Sequence, residues 1–406
     1  MALLRKLARV MTIYNNKILS VSITDTIRSI KLDTTMLALR PTTRLLKCVT
    51  PRSNFARACT TTKPTRQHHE PTFQIASFSS TSFTQNASPE ESYLHTLSSN
   101  PELSRFDAEN DLRWIISEVQ EHAKRELARG KLPPIEDERV EEFVRRRAEG
   151  EPLQYILGNT DFGPLTILCK RPTLIPRPET AHIFTQLSQH ILSSIPPLTS
   201  ASRPSEPLSI LDLCTGTGCI PLLMAHLNPL STATGLDNSP AAVSLGGVNA
   251  KKLDMHERVD IRYGNIFGPS KRLITRPGDL GGAKKVGMVV SNPPYIPYEE
   301  WKDLPRSVRE YESPAALLGD GTKGQLGKGL KFYERIAEIL SDLLIEEEEL
   351  AGKGWKGIPR VAVEVGKGQA RDVEDILRGS NGGVVGRTEV WNDQFGVERL
   401  VVGWTR

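Results

Sequence analysis

No apolar run in this sequence approaches the roughly 20 residues a helix needs to cross a bilayer, so no membrane partner is expected. Cysteine is scarce, 5 in 406 residues, and Cys48 and Cys59 lie near the start, which excludes a disulfide framework. Cys214 and Cys219 flank a glycine turn at a spacing unlike a zinc site, and the 8 histidines form no ligand pair, so no metal is expected. Acid is missing where base is plentiful. Residues 1–89 hold 13 Lys/Arg against 3 Asp/Glu, so of the chain's 52 basic and 48 acidic residues the remaining 39 and 45 leave residues 90–406 at −6. A basic start on a mildly acidic body gives no argument for nucleic-acid binding.

What the start does have is helical periodicity. Leu3, Leu4, Leu7, Met11, Tyr14 and Ile18 share one face, and Arg5, Lys6 and Arg9 the other. An amphipathic, Arg-bearing, acid-poor segment followed by Ser/Thr-rich chain is the pattern of an organellar transit peptide. A leader over residues 1–90 and a mitochondrial matrix location are therefore expected, with a plain disordered tail as the alternative.

Beyond it, Ala108, Leu112, Ile115, Ile116, Val119, Ala123 and Leu127 keep helical spacing, and Gly130 follows as a stop. Val140, Phe143, Val144 and Ala148 mark a second helix ending at Gly150. Residues 91–150 are expected to form a small helical, substrate-docking domain, 151–200 an interdomain segment, and 201–406 a catalytic domain. In that last part, short apolar runs at 209–214, 233–237, 259–263, 286–291, 361–365, 388–391 and 399–404 alternate with helical patterns at 219–227, 239–252, 329–347 and 369–378. The expected class is α/β, a doubly wound, mostly parallel sheet of seven strands with an antiparallel edge where the last two runs leave no room for a helix. Residues 194–207, 268–285 and 346–359 are Pro, Gly or charge rich and read as surface insertions, with Glu346 to Glu349 as a solvated helix end.

Two strand ends carry chemistry. In "ILDLCTGTGCI", Gly216 and Gly218 follow the first strand, where the backbone can turn tightly against a ligand. A dinucleotide site would want a third glycine where Pro221 stands, so that fingerprint fails and a dehydrogenase is disfavoured. Asp237 ends the second strand, where an acid can accept from both ribose hydroxyls. A glycine turn plus a ribose acid, with nothing for a pyrophosphate, fits a nucleoside ligand such as S-adenosylmethionine. A tight turn with a capping acid is the bland alternative.

The fourth strand ends in Asn292-Pro293-Pro294-Tyr295. Two prolines stiffen the loop and donate nothing, leaving the Asn292 side-chain oxygen and the Pro293 carbonyl as acceptors for a planar NH₂ group, with the Tyr295 ring beside it. A nitrogen held there with its lone pair toward a methyl donor is the chemistry these residues suit.

With these motifs the chain resembles the class I S-adenosylmethionine-dependent methyltransferases that act on amino groups. "GEPLQYILG" (150–158), "TLIPRPET" (173–180), "YESPAALLGDG" (311–321), "GLKFYERI" (329–336) and "DQFGVERLVVG" (393–403) narrow the resemblance, over about residues 100–405, to the HemK/PrmC family. The resemblance implies methylation of the glutamine amide in the Gly-Gly-Gln motif of a release factor, a mitochondrial one given the leader. It places Cys214, Thr215, Gly216, Thr217, Gly218 and Asp237 on the cofactor, with Asn265, Ile266 and Asn292. Asn292, Pro293, Pro294 and Tyr295 would grip the glutamine, with Asn292, Pro293 and Tyr295 as the catalytic set. Arg177 and Glu179 would shape the site or form an interdomain salt link. The chain departs from the family at Gly264-Asn265-Ile266-Phe267, where an acid is usual at 265 and an aromatic at 266, and at Ala181. A monomer without stable nucleic-acid partners is expected. The competing readings are an exocyclic-amine methyltransferase of DNA or RNA adenine and a silent relative that only binds a translation factor.

Overall fold

A computed structural model describes residues 88–132, 136–195, 203–275, 284–321, 327–379 and 383–406. Apart from Ser88, Pro89 and Glu90, the leader lies outside these residues, as do 196–202 and 276–283 of two expected insertions.

The described residues begin with four helices, α1 (Pro89–Leu97), α2 (Arg105–Ala128), α3 (Glu136–Ala148) and α4 (Leu153–Leu157). Ser104 and Asp107 form a reciprocal capping box that starts α2. Its buried stripe of Ala108, Leu112, Ile115 and Val119 meets Leu97, Val140, Phe143, Val144 and Ile156 in one core. The helical unit therefore runs on through α4, past the expected boundary at 150.

The hairpin β1 (Asn159–Phe162) and β2 (Leu165–Leu168) follows, then α5 (Pro178–Ser194), started by a proline at its first turn. Residues 151–200 are more than a connector. Ile183, Phe184, Leu187 and Ile191 of α5 are fully buried against the sheet, at the i, i+1, i+4, i+8 spacing of a helix face.

The sheet body runs β3 (Leu208–Leu213), α6 (Cys219–Leu227), β4 (Ser231–Asp237), α7 (Pro240–Lys252), β5 (Val259–Tyr263), α8 (Ser270–Leu273) and β6 (Met288–Ser291). Short helices α9 (Tyr298–Lys302), α10 (Arg306–Arg309) and α11 (Pro314–Leu317) come next, then α12 (Lys331–Leu343) and α13 (Glu347–Gly352). The chain finishes with β7 (Val361–Glu364), α14 (Ala370–Gly379), β8 (Val385–Asn392) and β9 (Glu398–Thr405). The sheet has seven strands in the order β5-β4-β3-β6-β7-β9-β8, parallel through β7, with β9 antiparallel to both neighbours.

Strand residues alternate between two apolar layers because both faces are covered. Ile210, Met288, Val290 and Ala362 join the layer of α5 and α6, and Leu211, Val289, Val361 and Val363 join that of α12 and α14. By the same parity Asp212 and Glu364 face the first layer.

The stretch 346–359 departs from its expected insertion character. Leu350, Trp355 and Ile358 are buried, and Trp355 Nε1 donates to the Glu206 carbonyl. Glu347 accepts from the fully buried Arg360 and from Thr405, so only part of the Glu346–Glu349 run is a solvated end. The described start of 268–285 also enters the core, through Leu273 and Ile274.

Candidate active site

Strand order reverses direction at β3, which has β4 on one side and β6 on the other, and a ligand crevice is expected outside the carboxyl ends there. A cleft occupies that place. Its wall includes Cys214, Thr215, Gly216, Thr217, Asp237, Ile266, Asn292, Pro294 and Arg177, together with Thr180, Leu273 and Phe332.

The first turn is built by backbone freedom. Cys214, Gly216 and Gly218 all have positive φ (60°, 56° and 77°), and Gly218 caps α6 in the left-handed region. Gly218 is spent on packing: a Cβ there would stand 3.3 Å from Ile261 Cδ1 and 3.5 Å from the Gly246 backbone. It lies off the cleft wall, contrary to expectation, because it turns the chain into the helix.

Asp237 closes the turn. Its Oδ2 accepts from the Gly216 amide and its Oδ1 from the Ser239 amide, both at 2.9 Å, so each oxygen keeps a lone pair for another donor. Burial pushes its carboxyl above the usual range, against the amides of Ser239, Gly216 and Asn238.

Polar atoms without partners surround the same turn. Thr215 Oγ1, Thr217 Oγ1 and both oxygens of Asp212 are buried and unpaired. Burial lifts the Asp212 carboxyl well above its ordinary value; the nearby Thr215 hydroxyl, although outside hydrogen-bond geometry, opposes this and Asp237 adds to it. Unpaired buried polar groups lining a cleft beside a ribose-competent acid fit a polar nucleoside ligand. The chain thus has the donors and acceptors that S-adenosylmethionine requires.

Asn292 is half-buried, with Nδ2 directed at Thr180 Oγ1 (3.4 Å), and Thr180 donates in turn to Glu364 Oε2 (2.7 Å). Glu364 is buried, and the loss of hydration raises its carboxyl to about 7. Ser291 ties the start of the loop to the Leu213 carbonyl at 2.6 Å.

Two other residues of the loop stand differently from expectation. Pro293 is buried, and Tyr295 packs its ring against the α12 layer instead of offering it to the cleft. That ring needs the glycine at 366, where a Cβ would come within 3.0 Å of Tyr295 Cδ2. Gln369 holds the Tyr295 carbonyl at 2.9 Å and the Gly366 amide at 2.9 Å. Burial also pushes the Tyr295 phenol upward.

Asn265 is likewise off the wall, exposed, its side chain accepting from the Phe267 amide at 3.0 Å in a local turn, while Ile266 is buried and does line the cleft. Arg177 binds Glu312 at 2.6 Å, and the other Glu312 oxygen accepts from the Ile175 amide. Burial raises Glu312 and Arg177 opposes it. The link is internal to the catalytic body, since Glu312 belongs to the "YESPAALL" stretch.

Thr180, Glu364, Gln369 and Asp212 were not singled out by sequence reasoning. A lone acid in the apolar run "VAVEV" was the available signal for Glu364, and the acid in "ILDL" for Asp212.

Residues 102–158 match the family described as the PrmC N-terminal domain. The release factor glutamine methyltransferase of Thermodesulfovibrio yellowstonii is 31% identical over 265 residues, 65% of this chain and 80% of that one. That of Geobacter sulfurreducens is 33% identical over 266 residues, covering 64% and 76%. That of Fusobacterium nucleatum is 30% identical over 296 residues, 72% of each. Among solved structures, the N-terminal domain of human METTL16 aligns at 16% identity over 73% of this chain and 93% of that one, with a TM-score of 0.41, too loose a likeness to bear on function. A seven-stranded sheet with its glycine turn, Asp237 and Asn292 on one crevice, and relatives of this identity and coverage, lead to one conclusion: the chain belongs to the release factor glutamine methyltransferases of the HemK/PrmC family and is an S-adenosylmethionine-dependent methyltransferase.

Proposed function

We propose that the protein methylates the side-chain amide nitrogen of the glutamine in a Gly-Gly-Gln motif of a peptide chain release factor, and that this factor is a mitochondrial one. One observation carries the reading: the Asn292 amide stands in the cleft wall with Nδ2 turned to Thr180, leaving Oδ1 as the acceptor, across from Gly216 and Asp237. The names of the bacterial relatives support the substrate, and the basic, acid-poor start of the chain supports the compartment. The helical unit, with Phe106 and Trp114 exposed on α2, serves as the docking domain, and the enzyme acts as a monomer with no stable nucleic-acid partner.

S-adenosylmethionine supplies a methyl on a sulfonium, taken up by a nitrogen lone pair as the sulfur–carbon bond breaks to leave S-adenosylhomocysteine. Asp237 would accept from the ribose hydroxyls through the lone pair left on each oxygen, and Thr215 and Thr217 would gain partners for their unpaired hydroxyls. Asn292 Oδ1 would accept from the substrate NH₂ and orient its lone pair. An amide nitrogen is a poor nucleophile, so the residues act by orientation and by favouring the positive charge that develops on it. The proton leaves after transfer, and no base is needed beforehand.

The test is mass spectrometry of a Gly-Gly-Gln mitochondrial release factor after incubation with the protein and S-adenosylmethionine. One methyl on that glutamine is expected, at a rate lowered roughly 10²–10³-fold by Asn292→Ala. Methyl appearing on adenine of added DNA or RNA, and none on the release factor, would overturn the proposal.

A further inference from the structure

Behind the Asn292 amide, side chains from two other elements line up. Thr180 lies in the first turn of α5 and Glu364 ends β7; both are 2% exposed. The order of bonds runs Asn292 Nδ2 to Thr180 Oγ1, then Thr180 Oγ1 to Glu364 Oε2. A threonine hydroxyl has one proton. Once it is given to the carboxylate, Thr180 can only accept from Asn292, which must turn its NH₂ inward and its oxygen outward. A carboxyl in this apolar layer disfavours folding whenever it is charged.

We propose that Glu364, acting through Thr180, is a positioning residue that sets the polarity of the Asn292 amide, keeping Oδ1 as the acceptor that faces the nitrogen to be methylated. The inference rests on the glutamine-methylating reading of this site. When Glu364 is protonated it can donate to Thr180, whose own proton is then free to point at Asn292 Oδ1. The amide can then flip and present a donor to the substrate's NH₂, which is itself a donor, and the two repel.

Glu364 is raised to about 7 by burial; the Thr180 bond, Arg399 of β9 and Arg177 oppose the shift, and Glu179 at the start of α5 adds to it. Tyr295 of the loop, Tyr333 of α12 and Cys219 of α6 also interact with this carboxyl, and burial pushes all three upward, away from neutrality. Among them Glu364 is the group poised to change charge near pH 7.

The test measures single-turnover methyl transfer from S-adenosylmethionine to a Gly-Gly-Gln release factor, with both reactants saturating, from about pH 5.5 to 8.5. S-adenosylhomocysteine binding and a thermal melt are recorded for each variant. The wild-type rate should fall as pH drops below about 7. Glu364→Gln should run about tenfold slower at pH 8 and lack that limb, with S-adenosylhomocysteine affinity unchanged. Thr180→Val should be slowed similarly, and Thr180→Ser should restore the rate to within about threefold. An active wild type whose pH limb survives Glu364→Gln, or a Thr180→Val enzyme at full rate, overturns the relay alone. No transfer by wild type at any pH overturns the substrate reading and the relay with it. Should Glu364→Gln not fold, Thr180→Val against Thr180→Ser decides.

Discussion

The helical unit of residues 88–157 and the sheet body both carry solvated ion pairs but differ in how deeply they enclose acid. On the helices, pairs such as Arg105–Glu109, Lys124–Glu121 and Arg145–Glu149 stand in solvent, and the partly covered Asp111, which burial raises, is met by Arg147 at 2.7 Å. In the body, Asp212, Glu364 and Glu312 are almost wholly enclosed, and burial raises all three carboxyls. Solvated ion pairs contribute little to stability. An enclosed carboxyl destabilises the fold wherever it ionises. All three enclosed acids sit at or beside the cleft, through Thr215, Thr180 and Arg177. Nearness to the cleft is common to these three burial-raised carboxyls, whereas the equally enclosed Arg360 is held by Glu347 away from the cleft wall.

The comparison can be broken most directly through pH. The folded state holds the Glu364 proton up to about 7, whereas an unfolded glutamate releases it near 4.5. Between these values the folded protein binds more protons, so stability falls as pH rises, by about 1.4 kcal/mol per pH unit and roughly 3 kcal/mol across the window. Urea midpoints measured at pH 5 and pH 8 should show that Glu364→Gln loses this share of the decline. If its slope equals that of wild type, enclosure of Glu364 is not what the titration reports.

A smaller effect is expected at Arg177. Its guanidinium is about one-third exposed while Glu312 is enclosed, so Arg177→Leu leaves a buried carboxylate with only the Ile175 amide. The loss should be about 2 kcal/mol, below a fully buried pair because solvent screens the cation. It should be larger at pH 8 than at pH 5, since protonation relieves the stranded acid. Adding Glu312→Gln should recover most of it in chemical denaturation.

These expectations also show where the sequence was legible. Strand β5 and helix α6 lie at the expected residues: the edge strand shows as Val259 and Ile261 alternating with Asp260 and Arg262, and the buried helix as an almost unbroken apolar run. Asp237 and Gly216 were legible because turn and ribose chemistry are local. The Thr180 link was not: it joins residues 112 and 184 positions apart, and a neutral hydroxyl in the first turn of α5 carried no local signal. Helix α5 was hidden by the proline-rich segments around it. Charge-rich composition concealed Leu350, Trp355 and Ile358, which are core residues. Tyr295 was misjudged because a ring after two prolines looks exposed, and only tertiary packing against Gly366 decides which way it turns.

The smallest effects belong to the helical unit and sharpen the comparison from its other side. Ser104 caps α2 by accepting from the Asp107 amide at 3.1 Å, while Asp107 accepts from the Ser104 amide at 3.2 Å. Ser104→Ala should lower stability by about 1 kcal/mol, because two helix-start donors lose their shared arrangement. Lys124→Ala removes a solvated partner of Glu121 and should leave the thermal midpoint within measurement scatter. If Lys124→Ala cost as much as Ser104→Ala, the helices would depend on their surface charges and the contrast with the body would fail. If the order holds, the unit stands on its caps and on the Leu112–Ile115–Phe143 core, and its surface charges are free to change without loss of the fold.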